Sequence, residues 1–249
     1  MLASAAGAGM MNAMAGGGTI LTFPALLLLG ESAITANATS TVALLPGAAA
    51  SMAGYRREVG EHREWLKSLL VPSLLGGAIG SALLLRTPER TFERLAPFLI
   101  LFATLLFLVQ GIVARWSGSE HGARPSRGRF AAATMLQLGV AIYGGYFGAG
   151  IGILMLATLG FLGLSDIHAM NGLKNFFGMC INFVAAAYFI FRGAVDWPAA
   201  LVMAGAAIAG GYGGARFARR IGRERARKAV VAIGFAITAI LLFRRNLLK

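Results

Sequence analysis

Two clusters of glycine interrupt apolar stretches of the sequence and free backbone groups that could bind a ligand. The first is residues 16–18 in "MAGGGTILTFPALLLLG", and the second is residues 148–152, "GAGIG". Glycine weakens a helix interior, so each stretch is predicted to form two short helical arms. The N–H groups that begin each second arm favour negative charge, which predicts a site for a small anion. The candidates for contact with it are Gly16, Gly17, Gly18, Thr19, Gly150 and Gly152.

Polar side chains follow each break, where the next apolar stretch opens. The candidates among them are Asn37, Thr39, Ser40, Asn171, Lys174 and Asn175. Lys174 is the only Lys or Arg outside the predicted loops and chain ends, and a cation inside a membrane span is a functional hypothesis by default. It could hold the anion, or its long stem could reach the membrane surface. The asparagines could bind anion oxygens or bridge helices.

The composition is that of a membrane protein. The chain has 249 residues, 57% hydrophobic and 13% charged, with a mean hydropathy of +0.70. A soluble domain carries about a quarter charged residues. Apolar runs near the ~20 residues that cross a bilayer as a helix lie at 66–85, 95–114, 130–146, 176–191, 199–215 and 229–243. The predicted class is an all-α polytopic membrane protein, surrounded by lipid.

The charge and the sequence motifs exclude several functions. The net charge is +13, but the basic residues cluster between apolar runs, which indicates membrane topology rather than nucleic-acid binding. Cys180 has no second cysteine with which to form a disulfide. No basic segment precedes the first apolar residues, so no cleaved signal peptide is predicted. Neither a G-x-S-x-G elbow nor an H-E-x-x-H pair occurs, so no enzyme activity, metal or cofactor is expected.

The sequence also matches itself at an offset of 134 residues. The matched pairs are Gly16 and Gly150, Gly18 and Gly152, Asn37 and Asn171, Gly76-Gly77 and Gly210-Gly211, and Gly80 and Gly214, and Ser40 aligns with Lys174. The halves are 1–114 and 130–249, joined by a polar linker at 115–129. Each half is predicted to hold one broken segment and three membrane-spanning helices. The glycines spaced by four in each half are predicted to pack helices closely.

Two membrane topologies are compatible with this repeat. If the broken segments cross the membrane, 12 basic residues lie on one side and 10 on the other. If each is a re-entrant hairpin, the halves are inverted and the counts become 15 and 7, a stronger positive-inside pattern. The arms at 1–14 and 19–29 would reach about the midplane of the bilayer. Inverted repeats with two re-entrant hairpins are the favoured prediction.

Longer motifs around both breaks resemble a known family. The first is "FPALLLLG" followed by "ITANATSTVALLPGAAASMAGYRR", and the second is "GGYFGAGIGILMLATLGFLGLSDIHAMNGLKN". Both are similar to the TauE/SafE family of sulfite and sulfonate exporters, over essentially the whole chain. The resemblance implies a bacterial-type inner-membrane protein that transports a small sulfur-containing or organic anion. Two features depart from the family pattern: the short N-terminal arm, and Gly150-Ile151-Gly152 where the first cluster has three glycines.

These observations predict a secondary transporter for a small anion, with alternating access around a site at the repeat interface. A small-anion channel is the alternative. Protons could be the coupling ion, and the candidates to carry them are Glu31, Asp166 and His168, each in the turn after a second arm. The other explanation for these three residues is simple exposure to water in a loop.

Overall fold

A computed structural model describes residues 1–14, 17–54, 63–116, 126–164, 166–221 and 223–247. Within them the chain forms ten α-helices and no β-strand, so the predicted all-α class is confirmed. Gly16 and most of the 115–129 linker lie outside the described residues. The helices are α1 (Leu2–Met14), α2 (Thr19–Leu28), α3 (Ala33–Gly54), α4 (Arg63–Arg86), α5 (Glu89–Trp116), α6 (Arg127–Tyr146), α7 (Ile151–Phe161), α8 (Ile167–Phe191), α9 (Trp197–Ile221) and α10 (Arg223–Leu247).

Several of these helices have the length and composition of membrane segments. In the described part, the stretches long and apolar enough to cross a bilayer are Glu64–Arg86, Glu89–Val109 and Ile167–Phe191. Shorter apolar helices include Thr19–Leu28 and Ile151–Phe161. At ~1.5 Å per residue these two are about 15 Å long, half of the ~30 Å hydrocarbon core. Large apolar side chains such as Phe183 and Phe191 are exposed on the outside of the bundle, where lipid would solvate them.

Each broken segment folds as a hairpin of two antiparallel helices. Hairpin 2 is α6 with α7: Arg129 near its start donates a hydrogen bond from Nε to the Phe161 carbonyl at its end. The Arg129 guanidinium also lies 5.5 Å from the centre of the Phe161 ring. Hairpin 1 is α1 with α2, and there Gly18 packs on Ala8 while Leu21 packs on Gly7. The second arm of each hairpin therefore runs back along the first.

The tip of hairpin 2 depends on glycine conformations. Gly148 has a φ of +81° and Gly150 a φ of +78°, in the left-handed region that other residues rarely adopt. The Tyr143 hydroxyl donates a hydrogen bond of 2.7 Å to the Ala149 carbonyl and fixes the turn from within. The "GAGIG" sequence is thus what allows α6 to end and α7 to begin four residues apart.

The two halves pack through corresponding helices. Helix α4 packs along α6, and α9 packs against α1. Helix α3 packs on α8 in the centre of the bundle, and α5 packs on α10. If helices α1 to α5 are exchanged with α6 to α10, the contact of α4 with α6 becomes the contact of α9 with α1. The contact of α3 with α8 and that of α5 with α10 each map onto themselves.

Small residues make the closest of these helix contacts. A Cβ added at Gly80 of α4 would overlap the Ile142 carbonyl oxygen and lie 2.8 Å from the Tyr146 nitrogen. A Cβ at Gly76 would lie 2.8 Å from the Leu138 carbonyl oxygen, and one at Gly210 would overlap the Ala6 carbonyl. The predicted packing role of these glycines agrees with the structure. The surroundings of Gly214 lie outside the described part of the structure.

Aromatic rings join the two hairpins to each other. The ring of Phe23 in α2 lies edge-on to that of Phe147 at the tip of hairpin 2, with centres 5.4 Å apart and an angle of 84°. Phe92 of α5 contacts both rings, at 6.1 and 6.4 Å between centres. All three side chains are buried, so they form the apolar contact between the hairpins.

Gly80→Ala is expected to destabilise the protein, because its methyl group must push α4 and α6 apart. Overpacking of this kind costs about 1–3 kcal/mol. Gly139→Ala on the outer face of α6 is the matched control, since no atom lies within 4 Å of the added Cβ there. The unfolding temperature in detergent checks the prediction, and equal temperatures for the two variants would contradict it.

Candidate functional site

A cavity of about 60 Å³ lies where the two hairpin tips meet the central helices α3 and α8. Its lining residues are Gly17, Thr19, Thr41, Leu44, Ala48, Gly148, Ile151, Gly152, Met155, Lys174, Asn175, Gly178, Met179 and Asn182. Residues 41–48 and 174–182 lie away from the ends of α3 and α8, so the cavity is inside the bundle. It combines one cationic side chain, several hydroxyl and carboxamide groups and an apolar wall.

Many of the lining residues are matched between the two halves of the chain. Four pairs lie 134 positions apart in the sequence: Gly17 and Ile151, Thr41 and Asn175, Leu44 and Gly178, and Ala48 and Asn182. At these four pairs the two halves contribute the same positions to the cavity, although they contribute different side chains. The cavity lies between the halves and belongs to neither alone.

Lys174 is the charged residue of this lining. Its side chain is buried, with 4% of its surface exposed. The Lys174 Nζ donates a hydrogen bond of 3.1 Å to Asn171 Oδ1, and Asn171 Nδ2 donates one of 2.7 Å to the Ile167 carbonyl. Asn171 thus orients the ammonium group without lining the cavity. Lys174 is therefore buried, whereas the sequence also allowed its side chain to reach the membrane surface.

The N-terminal ends of α2 and α7, the second arms of the hairpins, also line the cavity. Thr19 begins α2 and Gly152 stands in the first turn of α7, and both line it. Several N–H groups there bond the carbonyls just before each helix: Ile20 donates to Gly17, Leu21 to Gly18 and Ile153 to Gly150. The N–H groups of Thr19 and Gly152 take no part in these bonds, and the helix dipole concentrates positive charge there. The Thr41 hydroxyl donates a hydrogen bond of 2.9 Å to the Asn37 carbonyl, which leaves its oxygen able to accept a further bond. The cavity therefore offers an anion one full charge and two helix N-termini.

Several residues predicted for the site lie outside this lining. Gly18 packs on Ala8, and Gly150 precedes α7, where an added Cβ would lie 3.6 Å from Ala103 Cα. The Ser40 hydroxyl pairs with that of Thr22 at 2.5 Å. Asn37 and Thr39 are also absent from the lining, and Gly16 lies outside the residues that the structure describes.

Asn37 and Thr39 tie α3 to neighbouring segments. Asn37 Nδ2 donates a hydrogen bond of 3.1 Å to the Tyr146 carbonyl at the end of α6, and the Thr39 hydroxyl accepts one of 3.0 Å from the Asp196 N–H. Asn37 Oδ1 is buried and has no hydrogen-bond partner in the described part of the chain. The contact of Asn37 is of the helix-bridging kind that the sequence offered as an alternative, whereas Asn171 bonds groups of its own helix.

Sequence reasoning missed part of the lining. Asn182 is a carboxamide inside the apolar run 176–191, and that isolation was the signal that could have found it. Thr41 lies one helical turn after Asn37, on the same face of α3. Leu44, Ala48 and Met155 carry no chemical signal, because they resemble ordinary core residues in sequence.

The three coupling candidates lie in loops outside the cavity. Asp166 caps α8, since its carboxylate accepts a hydrogen bond of 2.9 Å from the His168 N–H, and both residues are exposed. Glu31 is half-buried between α2 and α3, near the Asp196 carboxyl. Burial raises the pKa of Glu31 above its ordinary value, and the negative charge of Asp196 raises it further.

Comparison with known proteins identifies the family. The profile described as "Sulfite exporter TauE/SafE" matches residues 1–241. The chain belongs to the TauE/SafE family. A "Probable membrane transporter protein" of Haemophilus influenzae is 29% identical over 95% of this chain and 91% of its own length.

Two further relatives have the same kind of name. "Probable membrane transporter protein ORF9" of a Sinorhizobium species is 26% identical over 94% of this chain and 88% of its own length. "Probable membrane transporter protein YfcA" of Escherichia coli K12 is 28% identical over 95% and 86%. No solved structure matches the chain. The TauE/SafE resemblance of the sequence is confirmed, and the protein is a membrane transporter and not an enzyme.

Glu31→Gln is expected to change how stability depends on pH. The pKa of Glu31 in the folded protein lies above its ordinary 4.5, so the folded state holds this proton more tightly than the unfolded chain. The resulting stabilisation is complete below the ordinary value and is lost as pH rises through the raised pKa. The unfolding temperature of the unaltered protein should therefore rise relative to that of Glu31→Gln as the pH is lowered through the raised pKa toward 4.5. Parallel curves would contradict this expectation.

Proposed function

We propose that this protein is a secondary transporter that moves a small anion, of the sulfite or sulfonate type, across the inner membrane. The transport mechanism is alternating access around the cavity between the two hairpins. The observation that carries the proposal is the position of Lys174, a buried cation in a cavity to which both halves contribute matched residues. Intramembrane cations mark substrate pathways, and midplane sites at repeat interfaces are typical of secondary transporters.

The charge of the cavity favours an anion. A buried ammonium group loses hydration, and a bound anion offsets that loss. Opposite unit charges 4 Å apart attract by about 4 kcal/mol at the effective dielectric constant of about 20 typical near a protein surface. The helix N-termini at Thr19 and Gly152 add partial positive charge to the lining. Lys174 is the one charged residue of the lining, which favours a monovalent anion over a divalent one.

The size of the cavity favours a ligand of few atoms. Its volume is about 60 Å³, which suits a small ligand. Sulfite or the head group of a sulfonate is of this size, and Gly152 and Gly178 let the backbone approach such a ligand closely. Met155 and Met179 supply a flexible apolar wall that can adjust to a short substituent.

The proposal includes a topology of two inverted repeats with re-entrant hairpins. The antiparallel arms of hairpin 2, held by Arg129 and Phe161, support it, because such a segment returns to the side from which it starts. The length of α2 and α7, about half a bilayer core, also supports it. Helix α4 packs on α6 just as α9 packs on α1, and an exchange of two similar halves would produce this pair of contacts. The basic loops then lie on the cytoplasmic side.

Lys174→Ala is expected to abolish or strongly weaken anion transport while the protein remains folded. Removing one partner of a buried charge pair costs about 2–5 kcal/mol, or about 30-fold or more in affinity. Uptake of radiolabelled sulfite into proteoliposomes measures it, and Lys67→Ala at an exposed lysine is the control. Full uptake by Lys174→Ala would remove Lys174 from the site. Ohmic, non-saturating conductance by the unaltered protein would show that it is a channel and not a transporter.

Arg86→Cys and Arg219→Cys are expected to react with a membrane-impermeant thiol reagent from opposite faces of the membrane. The two positions correspond to the outer end of α4 and the inner end of α9 in the inverted topology. Cys180→Ser provides the background, since Cys180 is the one native cysteine. Labelling of oriented vesicles from the same face would exclude inversion of the halves.

A further inference from the structure

We propose that the cavity also binds a sodium ion, held by the Gly144 carbonyl and the side-chain oxygens of Thr19 and Asn182. The ion would be transported with the anion, so the inference deepens the proposed function and rests on it for the role of the ion. The three ligands come from hairpin 1, hairpin 2 and α8. A cation at this point would therefore hold together the segments that must move during transport.

The observation is a convergence of oxygen atoms beside Gly148. A Cβ built on Gly148 would have three nearest neighbours, all of them oxygens. Gly144 O lies 3.2 Å from that point, and Asn182 Oδ1 and Thr19 Oγ1 each lie 3.9 Å from it. Hard cations take oxygen ligands, and a glycine leaves the space between these oxygens open. Thr19, Asn182 and Gly148 also line the cavity.

The oxygens are available to a ligand. Neither the Thr19 hydroxyl nor the Asn182 carboxamide makes a hydrogen bond within the part of the chain that the structure describes. The N–H of Gly148 donates to the Tyr143 carbonyl at 3.2 Å rather than to the Gly144 carbonyl. Gly144 stands in the last turn of α6, where carbonyl groups and the helix dipole place partial negative charge.

The chemistry of these ligands favours a monovalent cation. A backbone carbonyl can only accept, so Gly144 O cannot bind an anion directly. All three ligands are neutral, whereas calcium sites rely on carboxylates, and the cavity lining contains no carboxylate. Unwound backbone and helix C-termini bind Na⁺ in other transporters with broken helices.

Lys174 makes the sodium site depend on the anion. The ammonium group lines the same cavity and repels a second cation. An anion bound at Lys174 neutralises that charge, so each ligand should raise the affinity of the other by the same factor. This reciprocity is the energetic requirement for cotransport. The Glu31 and Asp196 pair lies outside the lining, so proton coupling there would be independent of these oxygens.

The test measures the unfolding temperature of the whole purified protein while Na⁺ replaces choline at constant ionic strength, with and without sulfite. Thr19→Val and Asn182→Leu each remove one ligand, and Thr158→Val is the control for Thr19→Val. Thr158 is a buried threonine of α7 whose hydroxyl bonds the Leu154 carbonyl away from the cavity. We expect Na⁺ to raise the unfolding temperature, more so with sulfite. The Na⁺ concentration at half effect should rise about tenfold or more in both ligand variants and stay unchanged in Thr158→Val.

The outcomes separate this inference from the proposed function. A stabilisation by sulfite that is equal in Na⁺ and choline, or that follows pH alone, would overturn the sodium site and leave the anion site standing. A Na⁺ response that survives in both Thr19→Val and Asn182→Leu would overturn it as well. A Na⁺ response lost in those variants, with no response to sulfite or a sulfonate in any cation, would support the sodium site and count against the proposed anion.

Discussion

Lipid supplies no hydrogen bonds, and this constraint explains the placement of the two broken helices. A backbone interrupted inside a membrane is tolerated only where other protein groups or a polar cavity satisfy it. Here the interruptions lie inside the bundle, where Asn37 bonds the Tyr146 carbonyl and Tyr143 bonds the Ala149 carbonyl. The groups that remain, at the starts of α2 and α7, face the cavity. The proposed binding site uses the same geometry that makes the breaks tolerable.

The two halves are alike in position and unlike in chemistry. Lys174 lines the cavity, whereas its counterpart Ser40 is buried in a hydrogen bond to Thr22. Asn182 and Asn175 are carboxamides, whereas their counterparts Ala48 and Thr41 are smaller. Of the two central helices, α8 therefore contributes most of the polar side chains of the cavity, and α3 contributes Thr41. This asymmetry would give the proposed anion a defined orientation between halves that otherwise pack in corresponding ways.

The sequence was informative where a residue type is rare in its surroundings. Glycine clusters in apolar runs predicted both helix breaks, and the isolation of Lys174 near the start of a span made it a candidate site residue. Residues such as Leu44 and Met155 were not predictable, because an apolar residue in a cavity wall looks like any core residue. Ser40 and Thr39 were candidates because they are polar, yet in the structure their hydroxyls bond other helices. Polarity alone does not distinguish a hydroxyl that bonds a ligand from one that bonds a neighbouring helix.

The ring contact between Phe23 and Phe147 bears on how easily the hairpins can shift. An edge-on aromatic pair is worth about 0.5–1.5 kcal/mol beyond its buried area and is favourable over a range of offsets. A buried hydrogen bond, once broken, leaves groups that cost about 1–3 kcal/mol each. Because Phe23 and Phe147 meet as rings, a small displacement of one hairpin against the other weakens this contact gradually instead of breaking a directional bond.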